Sequence, residues 1–206
     1  MLSMFGTFRI RIWPLTDLQR ANRAKVLKKY QKAIALYSRH ARRHPAEASR
    51  AYAGAAECCL YSNVLSSPIT VAPGVELVSE GDRTGAERYF RLALEADPNN
   101  PGALWGLAKL LPDGSSERQQ LLETLVTVQP RTLSLLALGD LYRSRLGDND
   151  RAYGLYKQAQ QHAPRDETAY LRLVDICRDM TRPEEAAMWS ERWQQAKLKK
   201  RRVGGE

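Results

Sequence analysis

A small residue, an aromatic ring, a second small or polar residue and a proline recur along this chain at one fixed spacing. Ala86, Phe90, Ala93 and Pro98 stand four, three and five residues apart, as do Ala152, Tyr156, Ala159 and Pro164, and Ala33, Tyr37, His40 and Pro45. Offsets of three and four put side chains on one face of a helix, and a proline shortly beyond cannot continue it. The first set runs through Asp97, Pro98, Asn99 and Asn100 into the next apolar helix, so the unit is a helix, a turn and a helix. Units of this kind cannot bury their apolar faces alone and must stack. The expected fold is therefore all-α, a superhelical α-α solenoid of about four helix pairs preceded by an extended N-terminal arm.

Composition narrows the field further. Apolar residues make up 43% of the 206 residues, which argues against wholesale disorder. The best apolar run, 51–61, contains Glu57 and falls well short of the roughly 20 residues a spanning helix needs. Of the three cysteines, Cys58 and Cys59 are adjacent and Cys177 is distant, with no C-x-x-C pair. Buried small hydrophobes in a reducing, intracellular compartment are the natural reading, with cytoplasm and mitochondrion undecided.

Charge is unevenly placed. Residues 1–46 carry eleven Lys/Arg and one acid, residues 47–196 carry sixteen against twenty-one, and residues 197–206 carry five against one. A mildly acidic array thus has two basic ends. Such asymmetry marks contact with nucleic acid, anionic lipid or an acidic partner, or else serves solubility and the dipoles of helix C-termini.

Residues 1–16 stand apart as an extended basic arm. Phe8, Ile10 and Ile12 alternate with Arg9 and Arg11, which is strand periodicity. A lone strand is unstable in water, so the arm packs on its own array, adds to a partner's sheet edge or stays mobile. Its acid-free composition also loosely resembles a mitochondrial presequence, although strand-like alternation is the wrong amphipathicity for one. The array itself spans 17–198, and a basic tail covers 199–206.

With Thr16 as N-cap, 17–44 reads as one long helix or two, since no Gly or Pro interrupts it. It presents a basic patch of Lys25, Lys28, Lys29, Lys32, Arg39, Arg42 and Arg43. His40 and His44 stand four apart but lack a third ligand, so no metal is expected. Prolines 45 and 98 are 53 residues apart, against 32 and 34 for the next two intervals, and the excess coincides with a Pro/Gly-rich insertion at 64–82. Beyond it, helices are predicted at 101–111, 117–129, 131–146, 150–162 and 167–180, followed by a last one from Pro183. Trp189 and Trp193, four apart on that helix, are suited to cover the open end of the stack.

The period, the Ala-aromatic-Ala-Pro spacing and a first-helix pattern (Leu104, Leu107, Ala108, Leu111, then Leu135, Leu138, Gly139, Tyr142) resemble the tetratricopeptide repeat over residues 30–198. Departures occur at Arg118, Leu122 and Leu125, where the spacing is also two short, and at Ser190 and Trp193 in the final unit. The resemblance implies a concave groove lined by first helices that receives a peptide or a partner's helix. By register it would present Tyr52, Trp105, Lys109, Leu136, Asp140, Arg143, Leu171, Asp175 and Arg178. The Lys/Asn clamp by which some members grip a chaperone's C-terminal carboxylate is missing, its places being taken by Tyr52, Ala56, Gly106, Leu133 and Ala137.

Nothing in the sequence suggests catalysis or a cofactor: there is no phosphate loop, nucleophile motif or metal quartet. Asp140 and Asp175 are expected to pair with Arg143 and Arg178. The leading expectation is a non-enzymatic scaffold or adaptor for protein partners, a subunit or assembly factor of a larger complex. Its rival is a ribonucleoprotein component whose basic ends touch RNA, with an anionic surface as a third possibility.

Overall fold

The computed structural model describes residues 15–62 and 82–203, with side chains as far as 198. The predicted docking arm, Phe8 to Ile12, lies outside the described residues, as does the insertion apart from Asp82. The helices are α1 (Asp17–Val26), α2 (Tyr30–Arg43), α3 (Ala48–Tyr61), α4 (Arg83–Ala96), α5 (Pro101–Leu110), α6 (Ser116–Val128), α7 (Thr132–Leu141), α8 (Asn149–His162), α9 (Glu167–Asp179) and α10 (Pro183–Val203). A short 3₁₀ turn, Pro45–Glu47, leads into α3, and a π turn, Tyr142–Leu146, extends α7. Each helix packs on its sequence neighbours, and the first helices of the leading pairs also meet, α1 on α3 and α3 on α5.

Capping explains most of the boundaries. Thr16 and Gln19 form a reciprocal box at α1, while Asp82, Asn100, Ser115, Asp148 and Asp166 each accept a backbone N–H in the first turn of the helix that follows. Pro101 and Pro183 occupy first helical positions, where no N–H is needed. The α7 extension ends at Gly147, whose φ of +63° suits glycine.

The recurring motif forms the core. Ala33, Ala86, Ala93, Ala152, Ala159 and Tyr156 have no exposed surface, and Tyr37 and Phe90 are 2% exposed. Each ring lies on a glycine. A Cβ on Gly54 would sit 2.8 Å from the Tyr37 ring and one on Gly139 would sit 2.5 Å from Tyr156, and Gly106 lies closer still to Phe90. Tyr37 and Phe90 thereby lock each pair to the next, whereas Tyr156 locks α8 to α7 of its own pair. The core runs as three overlapping clusters, with Ile34, Tyr52 and Tyr89 shared by the first two and Leu121 joining the second to the third. Stability therefore passes from neighbour to neighbour along one axis. At the far end Trp189 is 2% exposed, and the rings of Trp189 and Trp193 lie 6.3 and 5.3 Å from that of Tyr170.

Two details go beyond the sequence reading. The stretch 17–44 is two helices, broken where Lys28 takes a left-handed φ of +56°, so the leading half-unit gains a partner and the described residues hold five pairs. The reversal lets Ala21 and Ala24 of α1 pack on Ala33 and Tyr37 of α2. Cys58, Cys59 and Cys177 are free and buried, and loss of solvation pushes the first two thiols up to about 11 and about 12.

Candidate interaction groove

Alpha5 supplies the first element of the groove. Its inward face is spent on Ala103, Leu104, Leu107 and Ala108, which leaves Trp105 half-buried and Lys109 exposed one turn later. The Lys109 ammonium stands 6.0 Å from the Trp105 ring centroid, within cation–π range. Beside Trp105 opens a cavity of about 750 Å³ walled by Pro101, Leu125, Gln129, Arg131, Leu133 and His162. Thus α5, the end of α6, the start of α7 and the end of α8 all contribute. The lining is mainly apolar, with Arg131 and His162 the basic side chains on it.

Leu133 decides the character of this cavity. Alpha7 carries more leucines than one face can bury: Leu135, Leu136, Leu138 and Leu141 turn inward, and Leu133 is left 66% exposed. That surplus was visible in the sequence, where Leu133 entered only as a missing clamp position. The contribution of His162 and Gln129 was not visible, because it depends on where the ends of α8 and α6 arrive.

One pair further along, the gap between α7 and α9 has a volume of about 580 Å³ and quite different walls, among them Asp140, Arg143, Arg172 and Asp179. These four form two ion pairs across the gap, Asp140 with Arg172 at 2.8 Å and Arg143 with Asp179 at 2.6 Å. Asp140 also accepts the Tyr156 hydroxyl at 2.7 Å. Burial opposes the charge on Arg143, yet the Asp179 carboxylate outweighs it and raises the pKa of the guanidinium.

The predicted groove residues are therefore distributed unequally. Trp105 lines the apolar cavity and Lys109 reaches only its ring, while Asp140 and Arg143 share the charged gap. Leu171 is half exposed, and Asp175 pairs with Arg178 at 3.6 Å as expected. Asp140 does not pair with Arg143, a correction to the register argument. Its oxygens are engaged by Tyr156 and Arg172, and Arg143 reaches α9 instead. Leu136 is 6% exposed and so offers no surface, and Tyr52 stacks on Tyr89 of α4 at 6.2 Å.

The basic patch divides as well. Arg39 and Arg43 bind Asp17 at 2.8 and 3.2 Å, which ties the start of α1 to the end of α2, and Lys25 binds Glu57 of α3. The Arg39 hydrogen bond holds the Asp17 carboxyl below its ordinary range. Lys28, Lys29, Lys32 and Arg42 are exposed. His40 and His44 lie ring to ring at 4.5 Å, and His40 Nε2 is 3.0 Å from Glu47. Among the described residues no group of three or more His, Cys, Asp and Glu is placed to hold a metal, and no helix is long and apolar enough to cross a membrane.

Residues 134–168, from α7 through α8, match the family model described as tetratricopeptide repeat. That stretch is a tetratricopeptide repeat. No curated protein matches it in sequence. Among solved structures the array is similar to a crystal structure of MamA protein, with 14% identity, 90% of this chain and 92% of that one covered, and a TM-score of 0.67. MamA 41-end from Desulfovibrio magneticus RS-1 aligns over 87% of this chain and 92% of its own, with 15% identity and a TM-score of 0.63. YrrB, described as a TPR protein with an unusual peptide-binding site, aligns over 87% and 84%, with 16% identity and a TM-score of 0.61. At these identities the likeness is one of fold, a stacked array of tetratricopeptide repeats.

Proposed function

We propose that this repeat protein is a non-catalytic scaffold or adaptor that holds an extended segment of a protein partner, as a subunit or assembly factor of a larger complex. The observation that carries this reading is the apolar cavity between α5 and α7, where Trp105 and the exposed Leu133 face open space. A leucine 66% exposed beside a tryptophan at one open cavity forms a contiguous apolar patch of the kind that marks interaction sites. Buried aromatic anchors ringed by polar groups are the usual centres of protein interfaces. The fold likeness to YrrB, a peptide-binding TPR protein, points the same way.

Lys109, Arg131 and His162 beside this cavity favour a segment in which an apolar or aromatic side chain is flanked by carboxylates. The test is affinity capture at low and high salt with the wild type and a Trp105→Ala/Leu133→Ser variant. The expected result is a defined set of proteins that survives high salt and is lost with the variant. Capture dominated by nucleic acid that salt removes and the variant leaves unchanged would overturn the reading in favour of RNA contact. Against that rival, three of the seven predicted basic-patch residues, Lys25, Arg39 and Arg43, are already held by carboxylates.

A further inference from the structure

The turn between α1 and α2 combines features that neither repeat stacking nor the groove explains. Val26 is 81% exposed and Leu27 is 56% exposed, side by side at the tip where α1 ends. Lys28, Lys29 and Lys32 surround them, and no carboxylate occurs in the sequence between Asp17 and Glu47. Glu57 of α3, which the fold brings to α1, is taken by Lys25. Behind the tip, the Tyr30 and Tyr61 rings lie 6.3 Å apart, and Tyr61 is 52% exposed. The turn is well formed: the N–H groups of Leu27, Lys28 and Lys29 donate to Arg23, Lys25 and Ala24 carbonyls at 3.0, 2.9 and 2.9 Å. Lys28 holds the left-handed position that normally favours glycine, so the chain keeps a cation at a strained site.

We propose that this tip docks the array on an anionic lipid bilayer, with Val26 and Leu27 entering the interface and Lys28, Lys29 and Lys32 meeting the headgroups. Three observations favour this occupant. The apolar pair protrudes rather than lining a hollow, so it suits a soft phase that opens around it. Apart from Arg23 one turn back, the cations flanking it are lysines, which are depleted from the cores of protein interfaces but lay their stems along apolar surface and reach polar headgroups at a membrane. The tyrosine pair is amphipathic, as side chains at the headgroup level commonly are. RNA would use the lysines but has no call for two protruding aliphatic side chains, since bases are met by rings.

Vesicle flotation of the full chain tests the proposal, with phosphatidylserine–phosphatidylcholine vesicles compared with pure phosphatidylcholine. The wild type should float with the anionic vesicles alone. Lys28→Glu/Lys29→Glu should weaken binding at least about twentyfold, since each lysine near such a surface contributes roughly fivefold. Val26→Ser/Leu27→Ser keeps every charge, including those of the basic tail, and should weaken binding about tenfold or more. Both variants change exposed residues and should keep the wild-type melting temperature. A polarity-sensitive dye on Leu27→Cys should shift to the blue on anionic vesicles. Failure of the wild type to float, or a serine variant that binds as the wild type does, would overturn the proposal. So would binding of a poly-uridine probe that outcompetes vesicles and ignores the serine pair, which would assign the lysines to RNA. Groove variants at Trp105 should float normally, so this result and the groove reading fail separately.

Discussion

The gap between α5 and α7 opens at the start of α7 and the gap between α7 and α9 at its end, and the two are finished in opposite ways. The first is walled by Trp105, Leu125, Leu133 and Pro101, and its charged or titratable groups are Arg131 and His162. The second is crossed by two ion pairs whose four members neutralise one another. One gap keeps its surface unsatisfied and the other has closed it internally. The stack thus dictates where a slot lies, and single residues such as Leu133 and Arg172 determine whether anything will enter it.

The largest expected effect comes from the lock that seats α5, one wall of the first slot, on α4. Gly106→Val drives a branched side chain into the Phe90 ring and should destabilise the chain by about 2 kcal/mol, read as a lower denaturation midpoint at unchanged slope. Trp105→Ala should cost about 2 kcal/mol of partner affinity, roughly thirtyfold, whereas Ser144→Ala in the second gap should leave affinity unchanged by calorimetry. Equal losses at both positions would dissolve the distinction. A double-mutant cycle on Asp140→Ala and Arg172→Ala should give a coupling below about 1 kcal/mol that shrinks with salt, because both side chains are partly solvated.

The smallest effect concerns pH. The Glu123 carboxylate accepts from the Tyr142 hydroxyl at 2.6 Å and the Gln119 amide at 2.9 Å, linking α6 to the end of α7. The Tyr142 bond, then that from Gln119, lowers its pKa below 4.5. A lowered carboxyl pKa stabilises the fold above the unfolded value and loses that contribution as pH falls through the folded one. Stability should therefore drop below about pH 4.5, and Glu123→Gln should flatten that limb by under about 1 kcal/mol in acid denaturation.

Much of the fold was legible because its signals are local. The buried faces at Ala86, Phe90 and Ala93 and at Ala152, Tyr156 and Ala159 follow from helical spacing, and Thr16, Ser115 and Asp166 cap the helices they precede in sequence. What escaped was non-local or lacked a sequence marker. A turn centred on Lys28 carries neither Gly nor Pro. Gly54 and Gly106 look like weak points in a helix until the rings of Tyr37 and Phe90 are seen resting on them. The partner of Asp140 was misassigned because α9 delivers Arg172 across the gap, which intrahelical spacing cannot reveal.

The contact between α3 and α4 has a consequence of its own. Ala56 and Cys59 on one side meet Ala86, Phe90 and Ala93 on the other, although residues 62–82 separate the two helices in sequence. Such a join works like a socket whose halves are held by fit and not by the cord between them. Two separately expressed halves, 1–62 and 82–206, should therefore reassemble on mixing.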